Sequence, residues 1–392
     1  MVGYAEYPRD VRIRREVNAL IRHGAKVDII CVRRPSERVL QREGAVSVYR
    51  LPLMKGRMYG QSKYVCNYLA FCLLSGVLLT WLHLHKRYQI IQFHTLPDFV
   101  IFAGLIPKLF GAKLVLDMHE VMPEFYMTKF GVSPDHVLVK VLNYLELVSV
   151  RFADATIVVT DAIRRLVERR CRPKRPLCVV MNTLDEYLVA SPQKAACRKD
   201  DKFILMYHGA LTPMYGVDIA IRAMPRIKTI IQGALLWIFG KEDEAEELKR
   251  IVNDIGMQDA VRFNGERDQA EMLNLISLAD VGLVPIRKDR FTDLSFSNKL
   301  AEFVALGKPV VATRLSSVLE YFPEGSLFYF ESGDPTDLAN RVIELYQSPS
   351  GTRATVSTAS RYYQSIRWSV MEERYLALLD SLLARKVNVR LY

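Results

Sequence analysis

A lysine and a glutamate lie one helical turn apart in the segment SFSNKLAEFVALGKPVVAT, residues 295–313. Ser297 comes directly before an apolar-periodic run and is suited to cap the first turn of a helix. Gly307 and the proline two residues later are expected to end that helix. Asn298, Lys299 and Glu302 then share one arc of the helix, and the apolar residues occupy the opposite side.

This arrangement is suited to bind a phosphate beside a sugar. Free N–H groups and the helix dipole attract an anion, and Lys299 adds a full positive charge. Glu302 would repel a phosphate, but it can accept hydrogen bonds from hydroxyl groups next to one, such as those of a ribose. Phosphate and ribose together indicate a nucleotide. The alternative is a Lys–Glu pair on a solvated helix surface, which contributes about 0.2–0.5 kcal/mol.

A second group of polar residues follows two apolar runs in the first half of the chain. His94 ends one run, and Asp117, His119 and Glu120 end the other. These side chains could ligate a metal, but neither a second spaced pair of ligands nor a D-x-D carboxylate pair accompanies them. Three roles remain open for the two histidines: ligation of a metal, contact with a bound sugar or acceptor, and a purely structural role.

Short, continuously apolar segments recur along the chain with room for a helix between them. In the first half they are residues 27–32, 90–93, 113–119, 155–160 and 177–182. In the second half they are residues 203–209, 234–240, 260–265, 281–286, 309–313 and 326–330. Strands of this kind are buried on both faces, as in parallel sheets with helices on each side. Ligands of such sheets bind beyond the carboxyl ends of the strands.

The fold class predicted from this alternation is α/β, with two doubly wound, Rossmann-like parallel-sheet domains that face a cleft. Residues 1–187 are expected to form the first domain and residues 203–365 the second. Residues 366–392 are expected to form a helix that crosses back to the first domain, and the polar stretch 189–202 a linker. Only MVGY precedes the first polar turn, so the first strand is predicted to be short or truncated.

The positive charge of the chain is unevenly distributed. Residues 1–185 carry 28 Lys and Arg against 16 Asp and Glu, whereas the remainder carries 26 against 27. The basic residues are not interleaved with aromatic residues, so no nucleic-acid partner is expected. The six cysteines lack metal-ligand spacing and are typical of free thiols in a reducing cytoplasm. The amino-terminal segment lacks the apolar core of a secretory signal.

Residues 64–85, YVCNYLAFCLLSGVLLTWLHLH, carry no charged side chain. The segment is long enough to span a bilayer, which takes about 20 apolar residues. A strand signal follows it directly, as expected for a core helix packed on a sheet. Basic residues flank it, which is typical of a helix lying against an anionic membrane surface. All three interpretations remain open.

Several motifs, in order, resemble those of glycosyltransferase family 4, the retaining enzymes of GT-B fold. FSNKLAEFVALGKPVVAT is similar to the family signature, and the stretch from 239 to 286 is similar to its nucleotide-binding domain. DMHEVMPEFY resembles the acceptor-domain loop, and VVMNTLDEYL resembles the passage into the second domain. WSVMEERYLALLDSLL resembles the helix that crosses back. The resemblance covers essentially the whole chain.

The resemblance implies roles for individual residues. Glu302 matches the second glutamate of the E-x7-E motif, which holds the donor ribose, and Lys299 is implied as a partner of the diphosphate. His119 matches a histidine near the donor sugar and is the implied catalytic residue. The other implied nucleotide-sugar-binding residues are Gly209, Arg287, Phe296, Ser297 and Asn298. The implied acceptor-side residues are His94 and Glu120.

The sequence departs from the family pattern at two places. Leu294 stands where the first glutamate of the motif is expected, and the adjacent Asp293 is not assumed to replace it. In the loop GALTPMYGVD, Ala210 and Met214 stand where many relatives carry an arginine and a lysine. Neutralisation of the leaving diphosphate is then expected from Lys299, the helix N-terminus and Arg287 or Lys288.

The function implied by the resemblance is transfer of a sugar, with retention, from a nucleotide-diphosphate donor to a saccharide or lipid-linked acceptor in cell-surface polysaccharide or glycolipid synthesis. Positioned cations and a helix dipole can stabilise the leaving group, so no metal or other cofactor is expected. The expected location is the cytoplasm, at the inner face of the plasma membrane if the basic half binds anionic lipid. The alternatives are a non-hydrolysing nucleotide-sugar epimerase and a non-catalytic nucleotide-sugar sensor or scaffold. An NAD dehydrogenase is not supported, because no G-x-G-x-x-G follows a strand.

Overall fold

The computed structural model of the chain describes residues 1–53, 61–188, 202–241 and 245–384. The chain divides into two units, Met1–Met181 with Met371–Tyr392, and Asn182–Val370. The first junction therefore falls at residues 181–182. The linker predicted at 189–202 lies outside the described residues except for Lys202, and so does the end of the last predicted helix, from residue 385.

The first unit is built on an eight-stranded sheet in the order β3-β4-β2-β1-β5-β6-β7-β8, in which all neighbours are parallel except β3 and β4. The strands are β1 (Val2–Gly3), β2 (Val27–Val32), β3 (Leu40–Glu43), β4 (Val46–Leu51), β5 (Ile90–His94), β6 (Lys113–Met118), β7 (Ala155–Val158) and β8 (Leu177–Val179). Five of these were predicted as buried apolar runs. The two-residue β1 lies between β2 and β5, at the centre of the sheet.

Helices connect these strands. They are α1 (Val11–Arg22), α2 (Gln61–Lys86), α3 (Leu105–Leu109), α4 (Met122–Phe130), α5 (Val137–Phe152) and α6 (Asp161–Cys171), with a 3₁₀ segment at Asp98–Gly104. The last helix, α14 (Trp368–Ala384), begins in the second unit, and its residues from Met371 on belong to the first. Buried apolar side chains of α1, β2 and β4, with Ala5, form one core of this unit.

The second unit contains a six-stranded parallel sheet in the order β11-β10-β9-β12-β13-β14. Its strands are β9 (Phe203–His208), β10 (Ala234–Phe239), β11 (Val261–Phe263), β12 (Val281–Val284), β13 (Val310–Thr313) and β14 (Phe328–Phe330). Each falls within a predicted apolar run; the central strands are buried on both faces, whereas the edge strand β11 exposes Arg262.

The helices of the second unit are α7 (Val217–Ile230), α8 (Glu246–Asp254), α9 (Gln269–Leu278), α10 (Asn298–Ala305), α11 (Ser316–Tyr321), α12 (Pro335–Gln347) and α13 (Pro349–Tyr363). A core of buried side chains joins α7, α8 and α12 to the sheet. The carboxyl end of β9 and the beginning of α10 meet within this unit, and they carry the residues from which a nucleotide site was predicted.

The prediction of the strands missed one region of the first unit. The antiparallel pair β3 and β4 is absent from the predicted set, because β3 is exposed along its whole length and β4 alternates between buried and half-buried residues. A search for continuous apolar runs finds central strands and overlooks strands of this kind. The two doubly wound sheets themselves agree with the prediction.

Candidate functional site

The helix predicted from the 295–313 segment is α10. Ser297 occupies the N-cap position with an extended backbone, and the helix begins at Asn298. The Ser297 hydroxyl makes no capping hydrogen bond, contrary to the role inferred for it. Gly307 follows the helix with a φ of +67°, the left-handed conformation predicted for it. The Ser297 hydroxyl therefore lies at the beginning of α10 without accepting a hydrogen bond from a backbone N–H of the first turn.

Lys299 lies against the end of β9. The Cβ of an alanine at position 209 would be 2.5 Å from the Lys299 Cε atom, so any side chain there would force the lysine to move. Gly209 also has a φ of +114°, which disfavours any other residue. The Lys299 ammonium lies 4.2 Å from the ring centroid of Tyr215 and 5.3 Å from that of Tyr207. Three residues of the β9–α7 region thus hold the cation in place.

The charge state of this group follows from its burial. Burial lowers the pKa of Lys299 to about 8, although the nearby Glu302 carboxylate opposes the shift. Burial and the adjacent Lys299 also lower the pKa of His208 to about 3, so this imidazole is neutral at pH 7. His208 Nε2 lies 3.3 Å from Oε2 of Glu302. The site therefore combines a cation, a carboxylate and a neutral imidazole.

Arg287, which was predicted to contact the diphosphate, is engaged with the loop before α7. Its guanidinium lies 2.5 Å from Oδ2 of Asp218 and donates a hydrogen bond to the carbonyl oxygen of Pro213 at 3.2 Å. Its backbone N–H donates to the Met214 carbonyl oxygen at 2.9 Å. Arg287 thus stabilises the loop that carries Tyr215, and direct contact with a phosphate stays a prediction.

Two further predicted positions have structural partners of their own. Phe296 is 8% exposed, and its ring packs edge-on against Tyr321 and stacks on Phe322, so only its backbone is available to a ligand. The carboxylate of Asp293 accepts hydrogen bonds from the backbone N–H and the hydroxyl of Ser316, at 2.7 and 2.8 Å. Asp293 therefore binds the beginning of α11, and this engagement supports not assigning it the role of the missing glutamate.

The polar residues predicted in the first unit come together at the carboxyl ends of β5 and β6. His94 Nδ1 and His119 Nε2 lie 2.9 and 3.3 Å from the same oxygen of Asp117. The two imidazole rings are stacked at 7° with their centroids 5.5 Å apart. All three side chains are buried. These side chains lie close together because they are at the carboxyl ends of adjacent parallel strands, where ligands of such sheets are expected to bind.

A hydrogen-bond network extends from this group into the core. The Gln92 amide donates to Oδ2 of Asp117 at 2.9 Å and to Oε2 of Glu16 at 2.7 Å. The Tyr375 hydroxyl of α14 donates to the side-chain oxygen Oε1 of Gln92 at 2.6 Å. The sequence analysis did not identify Glu16, Gln92 or Tyr375. The sequence did contain one signal of this network, because Glu16 is a carboxylate on the side of α1 that carries apolar residues.

Burial determines the protonation of the histidine group. Burial lowers the pKa of His119 to about 3, so the ring is neutral at pH 7 and can donate only one hydrogen bond. Burial alone would raise the pKa of Asp117, but the adjacent His119 and the hydrogen bond from His94 outweigh it and hold that pKa below its usual range. Burial and Asp117 together raise the pKa of Glu16 well above its usual value. A charged Asp117 therefore orients two imidazoles.

His94 and His119 line a cavity of about 310 Å³ in the first unit. Glu120 lines the same cavity, so the three residues predicted for the acceptor side and catalysis share one space. The remaining charged residues of its wall are Asp10, Arg12 and Lys129. Arg12 forms a two-point pair with Asp10, at 3.1 and 2.8 Å. A wall of mixed charge with several hydrogen-bonding groups is suited to a hydroxyl-rich ligand.

His94, Asp117 and His119 could also hold a metal ion. The donor atoms of His94, Asp117 and His119 lie within 4.8 Å of one another. Hydrogen bonding accounts for this proximity, because the Asp117 oxygen that faces both rings also accepts a bond from Gln92. The expectation that no metal is needed stays a prediction.

Comparison with known families agrees with the two units. Residues 10–183 match the model of the glycosyl transferase 4-like domain, and residues 202–348 match that of glycosyl transferases group 1. The chain belongs to glycosyltransferase family 4. The resemblance inferred from the motifs is thereby confirmed. Lys299 and Glu302 fall in the second matched region, and His94, Asp117 and His119 fall in the first.

The names of two relatives of this chain describe different substrates. The chain is 29% identical over 203 residues to a GDP-mannose-dependent monoacylated alpha-(1-6)-phosphatidylinositol monomannoside mannosyltransferase of Corynebacterium glutamicum, an alignment that covers 49% of this chain and 52% of the relative. It is 23% identical over 309 residues to the N-acetyl-alpha-D-glucosaminyl L-malate synthase of Bacillus anthracis, with 74% and 76% covered. The chain thus matches about half of the first relative's length.

Solved structures share the fold. Sucrose-phosphate synthase from Thermosynechococcus elongatus superposes with a TM-score of 0.77 at 17% identity, and the match covers 98% of this chain and 95% of that one. Anabaena Alr3699/HepE in complex with UDP gives a TM-score of 0.68 at 16% identity, with 97% and 98% covered. At these identities the likeness establishes the fold of the glycosyltransferase and nothing more specific.

Proposed function

We propose that this protein transfers a sugar from a nucleotide-diphosphate donor to a saccharide or lipid-linked acceptor, with retention of configuration and without a metal ion. The observation that carries the proposal is the Lys299–Glu302 pair at the beginning of α10, beside a glycine that leaves room for the lysine. The Gly209 backbone, the α10 N-terminus and the Lys299 ammonium surround the place where a diphosphate would bind.

Each element has a distinct task in this proposal. Lys299 and the N–H groups of α10 stabilise the charge that develops on the diphosphate as the anomeric C–O bond breaks. Glu302 accepts hydrogen bonds from ribose hydroxyls, and His208 lies beside it. His119 is neutral and buried, and its Nε2 faces the Asp117 carboxylate, so its Nδ1 would accept a hydrogen bond from a sugar hydroxyl and the ring would not act as an acid. His94 and Glu120 line the cavity proposed for the acceptor.

The proposed setting is the cytoplasm, at the inner face of the plasma membrane. The name of the mannosyltransferase relative describes a lipid acceptor, which supports this setting. The excess of basic residues in the first half supports it as well, because anionic lipids attract such segments. Polysaccharide or glycolipid synthesis is the proposed process.

Calorimetry with UDP, GDP, ADP and their common sugars tests the donor assignment. One nucleotide is expected to bind, and Glu302→Ala and Lys299→Ala are each expected to weaken it about 10–100-fold, since a hydrogen bond to a charged group contributes about 1.5–3 kcal/mol. Lys308→Ala, three residues after the end of α10, and Glu320→Ala, on α11, are the matched controls. Unchanged affinity in Lys299→Ala would refute the phosphate assignment.

Turnover assays test the remaining parts. Incubation with the bound nucleotide sugar and candidate acceptors, with and without EDTA, is expected to give the same rate in both. Nuclear magnetic resonance of the product is expected to show the anomeric configuration of the donor. A product formed without any acceptor would favour the epimerase alternative instead.

A further inference from the structure

Helix α2 has two faces of opposite burial. One face packs on the first unit through Phe71, Leu79 and Leu82, which are at most 3% exposed. The other face carries exposed apolar side chains every three or four residues: Val65, Leu69, Leu73, Val77, Trp81 and Leu84, each 49–74% exposed. Burial of 22% in Val65–Lys86 is too low for a core helix enclosed on all sides.

The exposed apolar surface continues onto the neighbouring helix. α2 contacts both the 3₁₀ segment and α3. α3 and the residue after it add four exposed apolar side chains: Leu105, Ile106, Leu109 and Phe110, each 45–78% exposed. We call the ten side chains of α2 and α3 the apolar face. Soluble proteins rarely expose so many adjacent large apolar side chains without a partner.

The seating of α2 argues against a membrane span. Gly76 lies against the 3₁₀ segment, where an added Cβ would be 3.5 Å from Cα of Ala103. The Tyr4 ring meets the rings of Tyr68 and Phe71 edge-on, at 5.2 and 5.3 Å. To cross a bilayer, α2 would have to leave these contacts and expose the core beneath it. By length and composition α2 could span, but its packed face ties it to the first unit.

Charge identifies the occupant of the apolar face. Between Glu43 and Asp117 the sequence contains a single acidic residue, Asp98, which is 1% exposed. Besides Arg50, which is 3% exposed and paired with Glu37, the same stretch contains seven basic residues: Lys55, Arg57, Lys63, Lys86, Arg87, Lys108 and Lys113. A protein partner or a second copy of the chain has no need of this bias, whereas an anionic bilayer attracts basic flanks around an inserted apolar stripe.

We propose that the apolar face of α2 and α3 docks the protein on one leaflet of an anionic bilayer, with α2 parallel to the membrane surface. Trp81, near the basic end of α2, lies at the headgroup level, where indole rings are favoured. This docking assigns the proposed membrane contact to a particular surface of the protein. It rests on the proposed function only for the use of a lipid-linked acceptor. It names no residue of the Lys299 or His119 groups.

Vesicle co-sedimentation tests the proposal. The full chain is expected to bind vesicles of phosphatidylcholine and phosphatidylglycerol at least about tenfold more tightly than phosphatidylcholine alone, and less tightly at high salt. Leu73→Gln/Val77→Gln/Leu109→Gln is expected to weaken binding at least about tenfold. Val39→Gln/Ile230→Gln, which changes two exposed apolar residues elsewhere, is the matched control and is expected to bind normally.

Two further measurements keep the proposal falsifiable. Tryptophan emission is expected to shift to shorter wavelength with anionic vesicles, and Trp81→Phe is expected to remove the shift. Alkaline carbonate is expected to release the protein from membranes, and resistance to it would overturn docking in favour of a span.

Three other results would overturn the proposal: equal binding to both vesicle types, no binding, or a dimer in sedimentation that the triple variant abolishes. The triple variant is expected to keep its nucleotide affinity in calorimetry. Failure of membrane docking is therefore distinguishable from failure of the proposed donor site.

Discussion

The two groups of site residues are held by different kinds of interaction. In the second unit, Lys299 is positioned by packing, with Gly209 beside its stem and two tyrosine rings near its ammonium. In the first unit, Asp117 lies among hydrogen-bond partners, and the network continues to Tyr375. Packing fixes the position of a side chain, whereas hydrogen bonds also fix which atom carries a proton. We therefore expect the Lys299 group to be sensitive to changes in side-chain shape, and the Asp117 group to be sensitive to changes in charge.

The largest effect is expected from Asp117→Asn, which removes the charge that orients both histidines. The free energy of unfolding is expected to fall by about 3 kcal/mol, because the hydrogen bonds that His94, His119 and Gln92 make to a charged oxygen contribute about 1.5–3 kcal/mol each and are weakened or lost. Turnover is expected to fall with it, since His119 loses its orientation. Urea unfolding measures the first quantity. Asp161→Asn, in an exposed pair with Arg164, is the control and is expected to change it by less than about 1 kcal/mol.

The next effect tests packing in the second unit. Gly209→Ala is expected to cost about 2 kcal/mol of unfolding free energy, because it adds a left-handed backbone strain to a contact of 2.5 Å with Lys299. It is also expected to displace the lysine and abolish nucleotide binding in calorimetry. Gly256→Ala shares the positive φ but has no atom within 4 Å of the added carbon. Equal effects of the two substitutions on stability and on binding would refute the role of packing.

A smaller and pH-dependent effect concerns Lys299 itself. Its pKa is about 8 in the folded protein and about 10.4 in an unfolded chain, so the folded state binds fewer protons between these values. The charged lysine therefore lowers stability below pH 8, and this cost is relieved as pH rises from 8 to 10. Lys299→Met is expected to raise the unfolding free energy at pH 7 by about 1 kcal/mol while weakening nucleotide binding.

Chemical denaturation between pH 7 and 10 checks the sign of this prediction. The difference between Lys299→Met and the parent protein is expected to shrink over that range. Lys308→Met, three residues after the end of α10, removes an ammonium that donates to the Ser277 carbonyl oxygen and is expected to show no such trend. A destabilised Lys299→Met protein at pH 7 would contradict the burial cost inferred for the lysine.

The smallest effect tests how far the hydrogen-bond network around Asp117 extends. Tyr375→Phe removes the hydroxyl that donates to Gln92 and is expected to cost about 1 kcal/mol of unfolding free energy. Tyr346→Phe, at a 45% exposed position in the second unit, is expected to be neutral. If Tyr375→Phe is equally neutral, the network ends at Gln92 and α14 contributes only packing.

The sequence predicted the part of each site that depends on local pattern. The beginning of α10, its polar arc and its end at Gly307 follow from spacing within a dozen residues. His94 and His119 were found because they end buried strands. Tyr215 was missed, because its contact with Lys299 joins residues far apart in the chain. The same reason applies to Glu16, which reaches Asp117 only through the folded sheet.

Helix α2 shows a different limit of sequence reasoning. Its composition was compatible with a core helix, a span or a surface helix, because apolar character is uniform around most of the segment. Only the folded structure separates the packed face from the exposed one. Burial is decided by neighbours: α2 contacts the 3₁₀ segment, α3 and β4, and the side chains of its other face stay exposed.

The division of the chain has a practical meaning for engineering. The second unit is one continuous stretch, Asn182–Val370, inserted between the two segments of the first unit. These two segments meet at Met181 and Met371, where the Met181 backbone N–H lies 3.3 Å from the Met371 sulfur. The chain leaves and returns at one place. The second unit carries the proposed donor site, so exchanging Asn182–Val370 between relatives at these two joints is expected to transfer the donor specificity while the first unit is kept whole.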